Sequence, residues 1–235
     1  MADKQSSYLP IVMGLSADAL KGQAESFRAD EDLSDDVRTR VLERDDHCCR
    51  YCGFRSEKYQ RINVADGNWK NTDEKNLMTA CIFCNQCFYL DQVSQMRSGV
   101  LIWLPEMTQA ALNHLMRAIY VARITQGPIA DYARQSLDIL MHRREQAKAR
   151  VQTDDPAILA MVMSEYVDAK YYPARKQKLE GVRLLPLDRR VIKEGDLEFN
   201  QFPQILAYWR SKKGPFGDTM PDGWLGRYKA FQSAA

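Results

Sequence analysis

From Thr108 onward the apolar positions fall on a helical repeat. Leu112, Leu115, Met116, Ile119 and Ala122 stand at i, i+3, i+4, i+7 and i+10, the stripe of a helix that faces a core. A second helix is predicted over about 128–150, after Gly127-Pro128. A third begins at Asp154 or Asp155, where a capping carboxylate precedes Pro156, and is lined by Leu159, Val162, Met163 and Tyr166. Phe202 to Lys212 reads as a last helix carrying Ile205, Tyr208 and Trp209. Upstream, Val37 and Val41, with Leu42 beside them, predict a helix over 35–44. The shorter apolar runs read differently. YLPIVMGL near the start is strand-like and precedes a helix opened by Ser16; LIWLPE at 101–106 is a short strand; GVRLLPL is a strand or an extended connection. The acidic run ADEDLSDD reads as a solvated linker. The stripes are most simply core, and no repeat of fixed period is evident.

Composition narrows the class. The chain has 235 residues, 45% of them hydrophobic and 27% charged, which suits one or two globular domains with a sizeable core. The net charge of +2, from 33 basic and 31 acidic side chains, neither supports nor excludes a nucleic-acid binder. No apolar run approaches the roughly 18 residues of a membrane span. The apolar patch near the N-terminus, broken by Gly14 and Ser16, is poor material for a signal peptide. A cytosolic protein is expected, and there six cysteines point to metal before disulfides.

Cys49-Arg-Tyr-Cys52-Gly53 and Cys81-Ile-Phe-Cys84 form two CxxC pairs with 28 residues, 53–80, between them. Such knuckles can bring four thiolates around one structural Zn²⁺ ion, with Gly53 suiting the tight turn after the second sulfur. Redox or plain buried thiols are the competing readings. Cys48 and Cys87 are spare. Cys87 is either an alternative ligand or a buried thiol, and His47 is either a further ligand or an exposed histidine beside the knuckle. The chain thus reads as α+β, a small zinc module embedded in a mainly helical body. The expected divisions are 1–34, a strand, helix and acidic linker; 35–106, the zinc module; 107–212, the helical body; and 213–235, a tail rich in Gly, Pro and aromatics.

The pairs sit inside a longer pattern. Arg44-Asp45 and the first pair are followed by Asp66-Gly67 after a short strand, then by Asn76-Leu77, the second pair and Asn85. This resembles the HNH, or ββα-metal, module with zinc knuckles, and implies a short β-hairpin. In active members the strand before the Asp-Gly turn carries histidines, one of them the base for water attack on phosphate, and a further side chain on the closing helix helps hold a cation. Here Asn63 and Val64 occupy those places, and no histidine lies between His47 and His114. Asn is no base near neutral pH, and an essential base contributes ~10²–10⁴-fold, so no catalytic residue is expected. Val64 should point inward from the hairpin, and Asn63 should bond locally or face water.

KYQ at 58–60, LMTACIFCNQCFYLDQ at 77–92, LIWLPEMTQAALNHL at 101–115 and RLLPL at 183–187 resemble the IcmJ (DotN) family of the Dot/Icm type IVB secretion machine. That resemblance implies a non-enzymatic adaptor at the cytoplasmic face of the bacterial inner membrane. Its partners would be the C-terminal extension of the coupling ATPase DotL and the coupling-complex subunits DotM and IcmS-IcmW, with no nucleic acid. It would help present effector proteins for secretion. Trp103 and Leu104 are candidate partner contacts, or else members of the chain's own core. Two other functions compete. One is a metal-dependent nuclease with displaced catalytic residues. The other is a nucleic-acid-binding zinc module using Arg143, Arg144, Lys148 and Arg150, with Lys212, Lys213, Arg227 and Lys229 in the tail.

Overall fold

Ser34 opens the first helix, α1 (Asp35–Arg44), by accepting a hydrogen bond from the Val37 amide. The computed structural model describes residues 8–21, 33–224 and 226. After α1 come β1 (Gln60–Val64) and β2 (Leu77–Cys81), an antiparallel hairpin pairing Gln60 with Cys81 and Val64 with Leu77. Two short helices follow, α2 (Ile82–Asn85) and α3 (Leu90–Gln95), then β3 (Gly99–Trp103). The helical body is α4 (Gln109–Arg123), α5 (Pro128–Val151) and α6 (Pro156–Glu165). The chain continues through α7 (Arg175–Lys178), β4 (Val182–Pro186), the hairpin of β5 (Val191–Glu194) and β6 (Leu197–Asn200), and α8 (Phe202–Arg210). Mixed helix and short antiparallel pairs make the chain α+β. Among the described residues no helix is long and apolar enough to cross a membrane.

Asp155 caps α6 through a side-chain oxygen, as its position before Pro156 suggested, and Thr108 does the same for α4. Other expectations need correction. Residues 8–15 form no strand. Their backbone partners are scattered loops, Leu9 to Arg50 and Gly14 to Cys87, and Pro10 supplies no donor. Of the helix expected after Ser16, the described residues hold one 3₁₀ turn, Ala19–Lys21, with the Ser16 hydroxyl taking the Ala19 amide; residues 22–32 lie outside the described residues. The strand expected at 101–106 runs from 99 to 103, ending before Pro105. The β5–β6 hairpin, turning at Gly195 with φ +60°, was not expected at all. Of the acidic linker, residues 29–32 lie outside the described residues, while Asp35 and Asp36 form the first turn of α1.

Three apolar clusters hold these pieces together. One lies between α1 and the hairpin, with Val41, Ile62, Val64 and Leu77. A second joins the N-terminal segment, α3, α6 and the β3–β4 pair through Met13, Leu90, Leu159 and Leu184. The largest surrounds the paired cysteines and draws in α4 and α8.

Asp45, at the C-terminus of α1, links the first cluster to the hairpin. Its carboxylate accepts two bonds from Arg44, at 3.0 and 2.9 Å, and one from the Thr79 amide at 3.0 Å. Burial pushes its pKa up, but those bonds outweigh burial and hold it below the usual carboxylate value. A folded pKa below the unfolded one means the contribution is present at neutral pH and is lost as pH falls through the depressed value. Asp45→Asn is expected to cost about 1.5–3 kcal/mol at pH 7 in denaturant titrations. The two proteins should converge in acid; equal stability at pH 7 would contradict this.

Candidate metal centre

The first knuckle is shaped by its own backbone. Cys48 bridges Arg55, the Cys49 amide donates to the Phe54 carbonyl at 3.0 Å, and Gly53 returns its amide to Cys49 at 2.8 Å. Gly53 has φ +75°, and a Cβ there would meet the Tyr8 ring, so the turn requires glycine. The Arg50 amide donates to Thr79, docking this knuckle on β2. The second knuckle is the end of β2 itself, where Cys81 caps α2 by accepting from the Cys84 amide at 3.4 Å.

The result is one cluster. The sulfurs of Cys49, Cys52, Cys81 and Cys84 are all buried and lie within 4.8 Å of one another, close enough to hold a metal ion. Cys87 is not among them: it is buried in the second apolar cluster and donates its thiol to the Phe83 carbonyl at 3.3 Å. Cys48 is half-buried. His47 also stays outside, with Nε2 3.6 Å from Glu57.

Helix α4 supplies polar groups that the sequence reading passed over. Asn113 donates from Nδ2 to the Cys84 sulfur at 3.2 Å. Arg117 donates from Nη2 to the Cys81 sulfur at 2.6 Å and reaches that of Cys52 at 3.6 Å. His114 Nε2 lies 2.7 Å from the Cys52 carbonyl oxygen. Arg117 is 0% exposed, and its guanidinium lies 4.0 Å from the Phe54 ring centre and 5.3 Å from that of Phe83. No carboxylate pairs with it among the described residues. Burial pulls its pKa down, yet the Cys81 and Cys52 sulfurs outweigh burial and hold it above the ordinary arginine value. The same sulfurs respond in turn. Cys52 is held below the usual thiol value by hydrogen bonds from Cys49 and its neighbours. Cys81 is pushed up by burial but brought below that value by Cys49, Cys84 and Arg117.

A buried guanidinium needs an anion. Four neutral thiols offer none, whereas four thiolates around one divalent cation carry a net charge of −2. The donor set also suits zinc: a bond of about 2.3 Å makes a tetrahedron edge of about 3.8 Å, and Cys52 and Cys81 stand 3.8 Å apart. The residues therefore fit the ion. A signal for Arg117 and Asn113 existed in the sequence, as polar residues four apart beside the apolar stripe of a helix, but nothing local says what such residues face.

The positions of the absent histidines are equally defined. Val64 is buried in the first apolar cluster, as expected. Asn63 neither bonds locally nor faces water. It is buried, donates from Nδ2 to the Tyr51 hydroxyl at 2.6 Å, and accepts from the Tyr89 hydroxyl at 2.9 Å. The pKa of Tyr51 is pushed up to about 12 by burial, so the phenol stays neutral and can accept that bond. Of the candidate partner contacts, Leu104 is 4% exposed within the largest cluster. Trp103 is half-buried, with Arg150 3.8 Å from the centre of its ring and Gly181 against its edge.

The chain is 33% identical over 151 residues to the type 4 apparatus protein DotN of Legionella pneumophila, covering 63% of this chain and 70% of the relative. No family model matches the chain.

Proposed function

This chain belongs to the family of the type 4 apparatus protein DotN, and from that membership we propose that it is a non-enzymatic scaffold of the Dot/Icm type IV secretion machine. In this reading a degenerate HNH-like module, braced by one Zn²⁺ on Cys49, Cys52, Cys81 and Cys84, supports a helical body. That body docks on the C-terminal extension of the coupling ATPase DotL at the cytoplasmic face of the inner membrane, beside DotM and IcmS-IcmW. The observation that carries the non-enzymatic reading is the Tyr51–Asn63–Tyr89 chain. Where a nuclease needs a base facing substrate, this protein has a buried carboxamide whose oxygen and nitrogen are both engaged, next to a valine in the core. The nucleic-acid alternative is weakened on α5, though Lys212 and Lys213 stay exposed. Arg143 pairs with Glu106, Arg144 with Asp154, Lys148 with Glu145 and Asp154, and Arg150 covers Trp103. Arg227 and Lys229 lie outside the described residues.

For the docking surface, α6 offers the best support. From Pro156 to Ser164 it has no charged residue, which is ordinary for a helix buried all round. It buries Leu159, Ala160 and Met163 but exposes Ile158 at 47%, Met161 at 44% and Val162 at 40%, with Tyr166 at 75% just beyond. Apolar surface of this kind marks interaction sites. Trp103 packs against the same apolar cluster that α6 covers, whereas Leu104 serves the core.

The test mixes the purified, zinc-loaded chain with the C-terminal extension of its own host's coupling ATPase. Co-elution at micromolar concentration and a raised melting temperature are expected, with Val162→Glu weakening the complex on the order of tenfold or more. No complex would reject the partner. Metal-dependent plasmid cleavage with turnover would reject the scaffold reading.

A further inference from the structure

We propose that helix α4 reads the occupancy of the metal site. Gln109, Asn113 and Arg117 form a polar line from the sulfur cluster to the β3–β4 pair, so that loss of the ion is felt in the body of the chain as well as in the knuckles. The inference rests on the zinc reading above.

The three residues stand at i, i+4 and i+8, one face of the helix, and all three are buried. Each link is a direct bond. Asn113 donates to the Cys84 sulfur at 3.2 Å, and its Oδ1 accepts from Gln109 Nε2 at 3.0 Å, so both ends of the carboxamide are held. The Gln109 amide in turn behaves as a strand partner: it donates to the Leu184 carbonyl at 2.7 Å and accepts the Leu184 amide at 2.9 Å. Leu184 stands opposite Leu101 in the β3–β4 pair, and the Leu101 amide donates to Asp154 at 2.8 Å. Both backbone groups of Leu184 and the amide of Leu101 therefore point away from the other strand, and Gln109 caps the β4 edge. The line runs from sulfur through two side chains to the sheet.

Arg117 supplies the energy that makes the line respond. It lies between Phe54 and Phe83, fully buried, with Nε unpartnered, and among the described residues its acidic partners are the sulfurs. With the ion gone, nothing fixes the four sulfurs in the arrangement to which Arg117 and Asn113 bond. A buried guanidinium whose partners are no longer held in place is an arrangement proteins relieve by exposing the charge to water. Arg117 is carried on α4, so a shift of that helix that brings the guanidinium toward water also pulls Asn113 from Cys84 and Gln109 from Leu184. A site that merely stapled the knuckles would have no such line. Its neighbours would be apolar or backbone groups, as they are around Cys87.

Hydrogen exchange on the full chain, zinc-loaded and after removal of zinc by a chelator, tests the idea. Protection is expected to fall in 109–123 and at Leu184 together with 45–90. Arg117→Met keeps the bulk but removes the charge. It should release zinc to a chromogenic chelator roughly 10–100-fold faster, as loss of groups bonded to metal ligands does. After zinc removal its α4 should stay better protected than in the wild type, because no buried charge remains to be relieved. Unchanged α4 exchange on zinc removal from the wild-type chain, or release from Arg117→Met at the wild-type rate, would overturn the inference. Should Arg117→Met fail to fold, the wild-type exchange decides, with release from Asn113→Ala as the second measure. A wild-type chain that carries no zinc after expression in zinc-replete medium would sink the zinc reading itself; zinc bound with α4 indifferent to it sinks only this link.

Discussion

Cys81→Ser is expected to lose the zinc ion and, with it, the cooperative melting of the chain. Cys81 ends β2, caps α2, approaches the Cys52 sulfur at 3.8 Å and accepts from Arg117 at 2.6 Å. Binding at structural zinc sites amounts to on the order of 10–16 kcal/mol in small zinc domains, as much as or more than the ~5–15 kcal/mol net stability of an ordinary domain. A serine hydroxyl is a poor substitute for a thiolate, so the remaining three sulfurs would hold the ion far more weakly. The effect should not stop at residues 45–90, because Arg117 is left as a buried charge beside an incomplete site. Elemental analysis and thermal melting of the purified variant measure both consequences. Full zinc content with an unchanged melting temperature would contradict the assignment of Cys81 as a ligand.

Trp209→Ala should be the most damaging change outside the metal centre, and it should act without loss of zinc. Trp209 is buried among four rings: Phe54 at 5.6 Å, Phe83 at 5.7 Å, Phe202 at 6.0 Å and Phe216 at 6.5 Å between ring centres. Phe54 follows the first knuckle and Phe83 lies inside the second, so α8 closes the apolar side of the sulfur cluster. Deleting a buried tryptophan costs about 3–5 kcal/mol, because the cavity cannot fully collapse. For a chain of this size that corresponds to roughly 6–20 °C in melting temperature. Zinc content near one per chain with a melting temperature lowered in that range is the expected pair of results. A shift under about 2 °C would mean that the ring cluster contributes little.

Much of the local structure was legible in the sequence, for reasons that are themselves local. Val37 and Val41, the stripe from Leu112 to Ile119, and the caps Thr108 and Asp155 specify helices through side-chain spacing and backbone donors within a few residues. The cysteine pairs are likewise legible, because two-residue spacing is a backbone property of a knuckle, and the four sulfurs do converge. The exchange of histidine for Asn63 and Val64 could be read position by position.

What only the tertiary structure decided depends on partners far apart in sequence. The same apolar grammar in YLPIVMGL suits a strand or a strap, and the carbonyls of Arg50 and Cys87 make it a strap. Nothing in LIWLPE or RLLPL announces that β3 pairs with β4, since the register is set by the helices packed against both. Asn63 finds Tyr51 and Tyr89, not the solvent, because the hairpin, the first knuckle and the segment before α3 meet there. Arg117 looks in the sequence like one more solvated charge on a helix. Folding places it against the sulfurs of Cys81 and Cys52 from elsewhere in the chain, and only there does the charge acquire a use, because a buried guanidinium is tolerable only beside negative charge, such as a metal-bound tetrathiolate would carry.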